Sequence, residues 1–204
     1  MALSVLELGV SRASVLLLQG VTFSVSDGSA LLVRGPNGIG KTSLLRTICG
    51  LQLPYSGRIE GVVDQVAYSG HVDGIKPTLT VIENLRFWSI VFGSNQVEEG
   101  LEIYGLNELR HYQAGQLSAG QKRRLALARV FVTGCHLWVL DEPTASLDQR
   151  SNEIFCRALE AHLLQGGVGL IATHNDIDLN ADVLDLETFR ASSKTIDSFE
   201  EEFS

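Results

Sequence analysis

The sequence predicts an α/β fold with a mostly parallel sheet and an inserted helical block, and three observations carry that prediction. Apolar runs at residues 30–34, 137–140 and 168–172 have the length of buried strands and alternate with helical patterns at 42–49 and 149–164. A glycine-rich segment, Gly35-Pro36-Asn37-Gly38-Ile39-Gly40, joins the first of these strands to the first helix. Between about residues 79 and 133 the apolar period turns helical throughout.

Residues 21–25 alternate as a strand does, Asp27-Gly28 supplies a turn, and the run at 30–34 feeds the glycine-rich loop. Leu44, Leu45 and Ile48 then recur at helical spacing, and Gly50 is a suitable carboxyl-terminal cap. Strand-like pieces follow at 58–60 and 65–68. In the helical block, Val81, Ile82, Leu85 and Trp88 form one apolar stripe, and Leu125, Leu127, Val130 and Phe131 form another. The strand at 137–140 leads to a helix at 149–164 closed by Gly166-Gly167, and that to the strand at 168–172.

A chain of 204 residues can bury a full core, about 70% of the surface its unfolded form exposes, without a disulfide or metal. The net charge of −8 argues against a nucleic-acid partner, since phosphate-backbone affinity comes from clustered Lys and Arg. The basic cluster Lys122-Arg123-Arg124 opens a helix and is expected to be a solvated face. Cys49, Cys135 and Cys156 lack CxxC spacing and are expected to be reduced core thiols of a cytosolic protein. Cys135-His136 lacks the CxxCH pattern of haem attachment and reads as packing at the start of a strand. Apolar runs are strand-sized and no signal segment opens the chain, so a soluble protein is expected, with any membrane work done through a partner.

Four segments carry chemistry. In Gly35-Pro36-Asn37-Gly38-Ile39-Gly40-Lys41-Thr42 the glycines let successive N–H groups converge on phosphate oxygens at a helix amino end. Lys41 is placed to reach the β- and γ-phosphates and Thr42 to hold Mg²⁺, with Ser43 a further donor. Leu117-Ser118-Ala119-Gly120-Gln121 has capping-box spacing between Ser118 and Gln121, and a capped helix terminus is also a place where an anion binds. Asp141-Glu142 ends a strand whose four preceding residues are apolar, and Thr173-His174 follows another.

The order of phosphate loop, LSxGQ, apolar strand ending in Asp-Glu, and late His resembles the ATP-binding subunits of ABC transporters. That resemblance implies a P-loop NTPase core with an antiparallel β portion and an inserted helical subdomain. It also implies one ATP-binding domain over 1–204: a core at about 1–70 and 135–190, a helical subdomain at about 71–134, and an acidic tail at about 191–204. Asp141 would hold Mg²⁺, Glu142 would polarise the attacking water, and His174 would bridge that water and the γ-phosphate. Ser118 and Gly120 would cap ATP bound by the opposite subunit, with Ala119 where the family usually has Gly. Ser146-Leu147-Asp148 resembles the loop through which two subunits touch. ATP and Mg²⁺ are the implied cofactors, and a head-to-tail, ATP-dependent dimer the implied assembly.

Two positions depart from the family pattern. His71 stands where a Gln usually senses Mg²⁺ and the γ-phosphate, and Arg12 where an aromatic residue usually stacks on adenine, a role a guanidinium can also take. His71, with Asp73-Gly74-Ile75-Lys76, residues 79–88 and LSAGQ, is similar to the ATPases of bacterial cytochrome c maturation, historically called haem exporters. The implied partners are an integral-membrane permease (CcmB-like) and haem-handling membrane proteins at the cytoplasmic face of the inner membrane. The implied work is haem export or release of a haem-loaded chaperone. Alternatives are the ATPase of another ABC transporter, for lipoprotein release or metal import, and a soluble non-transport ABC ATPase. The short stretch between Lys41 and Ser118 leaves no room for the long coiled coil of repair ATPases.

Overall fold

The computed structural model describes residues 3–13, 15–61, 66–70, 72–145, 147–174, 177 and 179–192. In chain order its strands are β1 (Leu3–Arg12), β2 (Val15–Val25), β3 (Ala30–Arg34), β4 (Ser56–Gly61), β5 (Val66–Ser69), β6 (Leu137–Asp141), β7 (Val168–Ala172) and β8 (Asp182–Asp185). Its α-helices are α1 (Lys41–Ile48), α2 (Val81–Phe92), α3 (Val97–Ile103), α4 (Ala119–Phe131) and α5 (Gln149–Leu164).

Strands made almost wholly of apolar residues can sit only where both faces are covered. β6 and β7 are buried at every position and accordingly lie inside a five-stranded sheet of order β5-β6-β7-β3-β8, in which every neighbouring pair is parallel. Alternate residues of β6 face opposite layers, as the strand period requires. Leu137 and Val139 join a core shared with β1, β2 and α1, whereas Trp138 and Leu140 join one shared with α2, α4 and α5.

The second sheet is antiparallel, of order β2-β1-β4. β1 was not legible as a strand because its alternation is broken: the pairing with β2 slips between Val5 and Leu8, and Glu7 takes a left-handed φ of 50°. The alternating residues 21–25 are the end of the longer β2. β8 is a second strand the sequence pattern did not show.

The helical block resolves into α2, α3 and α4, which pack on one another. Thr80 and Glu83 close a capping box at the start of α2, and Gly93 ends the helix in a left-handed conformation at φ 69°. The expected α2 stripe is inward-facing, with Val81, Ile82 and Leu85 buried and Trp88 partly so. Tyr104 and Phe155 fill the same core and are fully buried.

All three cysteines are free, Cys135 buried and the others partly so, in keeping with core thiols. Burial pushes the Cys49 thiol up to about 12, which keeps it protonated and unreactive. Among the described residues, no helix is long and apolar enough to cross a membrane.

The register of the parallel sheet places the site. Val33 pairs with Ala172 and Asp141 with Ala172, so β3, β6 and β7 end side by side. The loops leaving their carboxyl ends therefore start from one edge, where parallel α/β sheets bind ligands.

Candidate functional site

β3 delivers the chain into the glycine-rich loop, and α1 receives it. Gly35 and Gly40 take φ values of 146° and 121°, conformations that residues with a Cβ rarely adopt. A Cβ at Gly40 would in addition sit 3.3 Å from the Leu18 side chain. No side chain caps the amino end of α1, so its first N–H groups are left for an external anion. Lys41, only 8% exposed, lies back along the loop, its Nζ donating to the Gly35 carbonyl at 2.6 Å and weakly to Pro36 at 3.4 Å. The ammonium is thus held over the space the loop encloses.

Across that space, the Thr42 hydroxyl donates to Asp141 Oδ2 at 2.7 Å. A hydroxyl and a buried carboxylate brought together from α1 and β6 make a hard, all-oxygen donor pair, which is what Mg²⁺ takes. The residues present therefore fit the ion.

Glu142 leaves the strand in a left-handed conformation at φ 51°, its N–H donating to the Ala172 carbonyl at 2.8 Å. For a non-glycine residue that conformation costs about 1–3 kcal/mol, and such strain collects at functional sites. Its carboxylate is nearly buried. Oε1 meets His174 Nδ1 at 2.9 Å, while Oε2 has no hydrogen-bond partner among the described residues. His174, just beyond β7, has a side chain that is 61% exposed. An orphaned carboxylate oxygen beside an accessible imidazole is suited to take hold of a water molecule.

Arg12, at the end of β1 and exposed, completes the surroundings: it lines, with Asn37, Lys41, Thr42, Glu142 and His174, a cavity of about 320 Å³. Gly38, Gly40, Ser43 and Asp141 line the same cavity. Three of the four segments predicted to carry chemistry, the phosphate loop, Asp141-Glu142 and His174, are thereby brought into one place together with Arg12. Ile39 is buried beneath the loop as its anchor.

The Ser118 segment is elsewhere. Ser118 caps α4, its Oγ accepting from the Gln121 N–H at 3.3 Å and its own N–H donating to Gln121 Oε1 at 2.8 Å. Leu117 is buried, Ser118 and Ala119 face solvent, Gly120 is half-buried, and none of the five lines the cavity of the phosphate loop. Asp148 caps α5 through the Ser151 N–H at 2.8 Å, and hydrogen bonds from Ser151 hold its carboxyl below the usual range. Leu147 packs partly buried against the helical core. His71 and Ser146 lie outside the described residues.

One expectation is overturned. The cluster Lys122-Arg123-Arg124 is not a solvated face: Arg123 is 5% exposed, with Nη2 2.6 Å from the Glu142 carbonyl. A run of basic residues says nothing about which of them points inward; the sign that could have singled out Arg123 is its place one turn beyond the Ser118 cap, on the side that carries Leu127 and Val130 inward.

Comparison with known proteins places this geometry. The family model described as "ABC transporter" matches residues 18–145, the stretch that runs from β2 through the phosphate loop, the Ser118 segment and Asp141-Glu142. The chain belongs to the ABC transporter family. Over 203 residues, all of both chains, it is 51% identical to the cytochrome c biogenesis ATP-binding export protein CcmA of Ruegeria pomeroyi. A CcmA of the same description from Paracoccus denitrificans is 53% identical over 93% of this chain and 91% of its own. Among solved structures, an ABC transporter ATP-binding protein of Pyrococcus furiosus superposes with a TM-score of 0.83, covering 93% of this chain and 99% of that one at 24% identity. That likeness bears on the fold alone. The chain is accordingly an ABC ATP-binding subunit, an ATPase by family, with a parallel sheet, an antiparallel sheet and helices arranged as in other ABC ATPase domains.

Proposed function

We propose that this chain is the ATP-hydrolysing subunit of a membrane ABC complex for c-type cytochrome biogenesis, energising haem export or the release of a haem-loaded chaperone. The chemistry is carried by one observation: Lys41, Thr42, Asp141, Glu142 and His174 converge on a single cavity behind an uncapped helix terminus. The biological role is supported by full-length similarity to CcmA.

ATP enters with its β- and γ-phosphates against the loop N–H groups of residues 35–43, and Lys41 exchanges its carbonyl contacts for phosphate oxygens. Arg12 stacks on or beside the adenine. Thr42 and Asp141 would hold Mg²⁺, which would supply positive charge to the β- and γ-phosphates. Glu142 Oε2, free and buried, accepts a hydrogen bond from the attacking water and polarises it. His174 anchors the other oxygen through Nδ1, which keeps the carboxylate facing the water and leaves Nε2 for the γ-phosphate side.

The exposed Ser118 segment reaches the ATP of a second, head-to-tail subunit, and Ser146, Leu147 and Asp148 line the contact between the two. ATP then touches both subunits only when they are closed, so binding draws the dimer together and hydrolysis releases it. A permease of the CcmB kind docks on the groove of about 350 Å³ between the sheet edge and the helical subdomain, lined by Leu51, Tyr68, Trp88, Phe92 and Arg129. By its place in the sequence, His71 stands where the family has its Mg²⁺- and γ-phosphate-sensing Gln.

Affinity purification of the tagged chain from detergent-solubilised membranes tests the role. Haem-handling membrane proteins should copurify; a lipoprotein-release or metal permease in their place would transfer the subunit to another transporter, and a purely soluble partner would remove it from transport.

A further inference from the structure

The guanidinium of Arg123 uses every donor it has, and four of its five acceptors are main-chain carbonyls. Nε donates to Pro143 O at 3.1 Å; Nη2 donates to Asp141 O at 3.1 Å and to Glu142 O at 2.6 Å. Nη1 donates to Gly70 O at 3.2 Å and to Asp73 Oδ1 at 3.1 Å. A guanidinium has five N–H donors in a fixed planar fork, so none is left over. Asp73 supplies the single negative charge among the five partners.

Three of those carbonyls belong to consecutive residues, Asp141, Glu142 and Pro143, and the middle one is the residue held at φ 51°. A left-handed glutamate persists only where its surroundings over-determine it. Here the N–H of Glu142 is held by Ala172 and its carbonyl by Arg123, so the residue is clamped on both sides. The side-chain direction, and with it the placement of the unpartnered Oε2, follows from that backbone.

Arg123 itself stands on α4, five positions after the Ser118 cap, about 7.5 Å along one rigid helix. One side chain therefore joins the helix that begins at the Ser118 segment, the turn that carries the water-polarising carboxylate, and the segment on either side of position 71.

We propose that Arg123 is a positioning residue for Glu142: it sets the base in its strained conformation and makes that setting depend on where α4 sits. The inference rests on Glu142 being the group that polarises water. Displacement of α4 drags a planar fork across three carbonyls at once, and a misplacement of 1 Å at a reacting group can lower a rate by about 10²-fold. Arg123 itself makes no contact with the phosphate loop among the described residues, and it holds Asp141 by the carbonyl and not by the carboxylate that meets Thr42, so nucleotide affinity is separable from turnover.

The test compares wild type with Arg123→Met, which keeps the stem and loses the donors, and Arg123→Lys, which keeps the charge on one nitrogen. ATP affinity is measured by fluorescent-nucleotide titration and hydrolysis by phosphate release, each on the full-length chain with Mg²⁺. Both variants should bind ATP as wild type does while kcat falls, by about 10²-fold for Arg123→Met and less for Arg123→Lys. ATP recovered unhydrolysed from the Arg123→Met protein would match the behaviour expected of Glu142→Gln. If Arg123→Met does not fold, Arg123→Lys decides the matter alone. Unchanged kcat, or affinity lost in step with kcat in the Lys variant, overturns the proposal and leaves Arg123 as a structural tie. A wild-type protein that binds ATP without any hydrolysis would instead remove the ATPase reading on which it rests.

Discussion

The Thr42 hydroxyl and the Asp141 carboxylate are joined by a 2.7 Å hydrogen bond across 99 positions of sequence. The bond exists because β3 and β6 both end beside β7, so the residues that follow them emerge on one edge. By that registration a loop and a strand end far apart in sequence bring a hydroxyl and a carboxylate together beside the glycine-rich loop.

Lys41→Ala should abolish ATP binding and leave the fold intact. The ammonium is the cation that lies against the phosphate loop, and its present partners are loop carbonyls that other donors, including water, can satisfy. Circular dichroism and nucleotide titration check the two halves of this outcome; a folded variant with unaltered affinity would refute the assignment of the loop.

Glu142→Gln should hold ATP without turning it over. The amide preserves shape and size but polarises water poorly, and positioned acid–base groups contribute about 10²–10⁴ in rate. With ATP and Mg²⁺ the variant should elute as a dimer in size-exclusion chromatography. Hydrolysis at the wild-type rate would show that the base lies elsewhere.

Ser118→Ala should leave affinity for the first nucleotide unchanged, since Ser118 does not line the phosphate-loop cavity, and should lower hydrolysis. Loss of the cap costs α4 about 1 kcal/mol, which a denaturant melt will register. Mixing Ser118→Ala with Lys41→Ala protein should restore part of the activity that each lacks alone, because one composite site in the mixed dimer is intact. Absence of any recovery, with mixed dimers shown to form, would count against a shared site.

Stability should fall as pH drops below the ordinary histidine value, through His162. Burial, with its ring stacked 4.0 Å from Trp138, pushes this imidazole down to about 4. The unfolded chain takes up a proton near 6.5 and the folded one does so only near 4, so the stabilisation is complete above the first value and is lost between the two. His162 is only partly buried, which reduces the expected loss to on the order of 1–2 kcal/mol. Urea midpoints for wild type and His162→Phe should converge on acidification; a constant gap would assign the acid sensitivity to other groups.

Much of the architecture was readable because its signals are local. β6, β7 and α5 have continuous apolar runs or clear helical spacing with glycines at the ends, and the structure places them at those residues or within one of them. The phosphate loop was readable because its glycines and Lys41 are contiguous. β8 was not, since only Leu184 of its four residues is buried and the strand is held by pairing with β3. Arg123 was hidden for a related reason: its five acceptors come from two distant segments, 70–73 and 141–143, and nothing in a basic run reports on carbonyls brought to it by a distant strand. The meeting of Glu142 with His174 lies between these cases, since the residues were visible but their contact depends on the β6–β7 register.

The left-handed backbone at Glu142 sets the demands of folding against those of turnover. A glycine there would relieve the strain and an asparagine would tolerate it, so either exchange is available to selection for thermal robustness alone. A library screened only for melting temperature should enrich such exchanges at position 142, and its most heat-resistant members would be inert. A glutamate at a position the backbone disfavours is what the proposed water-polarising role would demand of this turn.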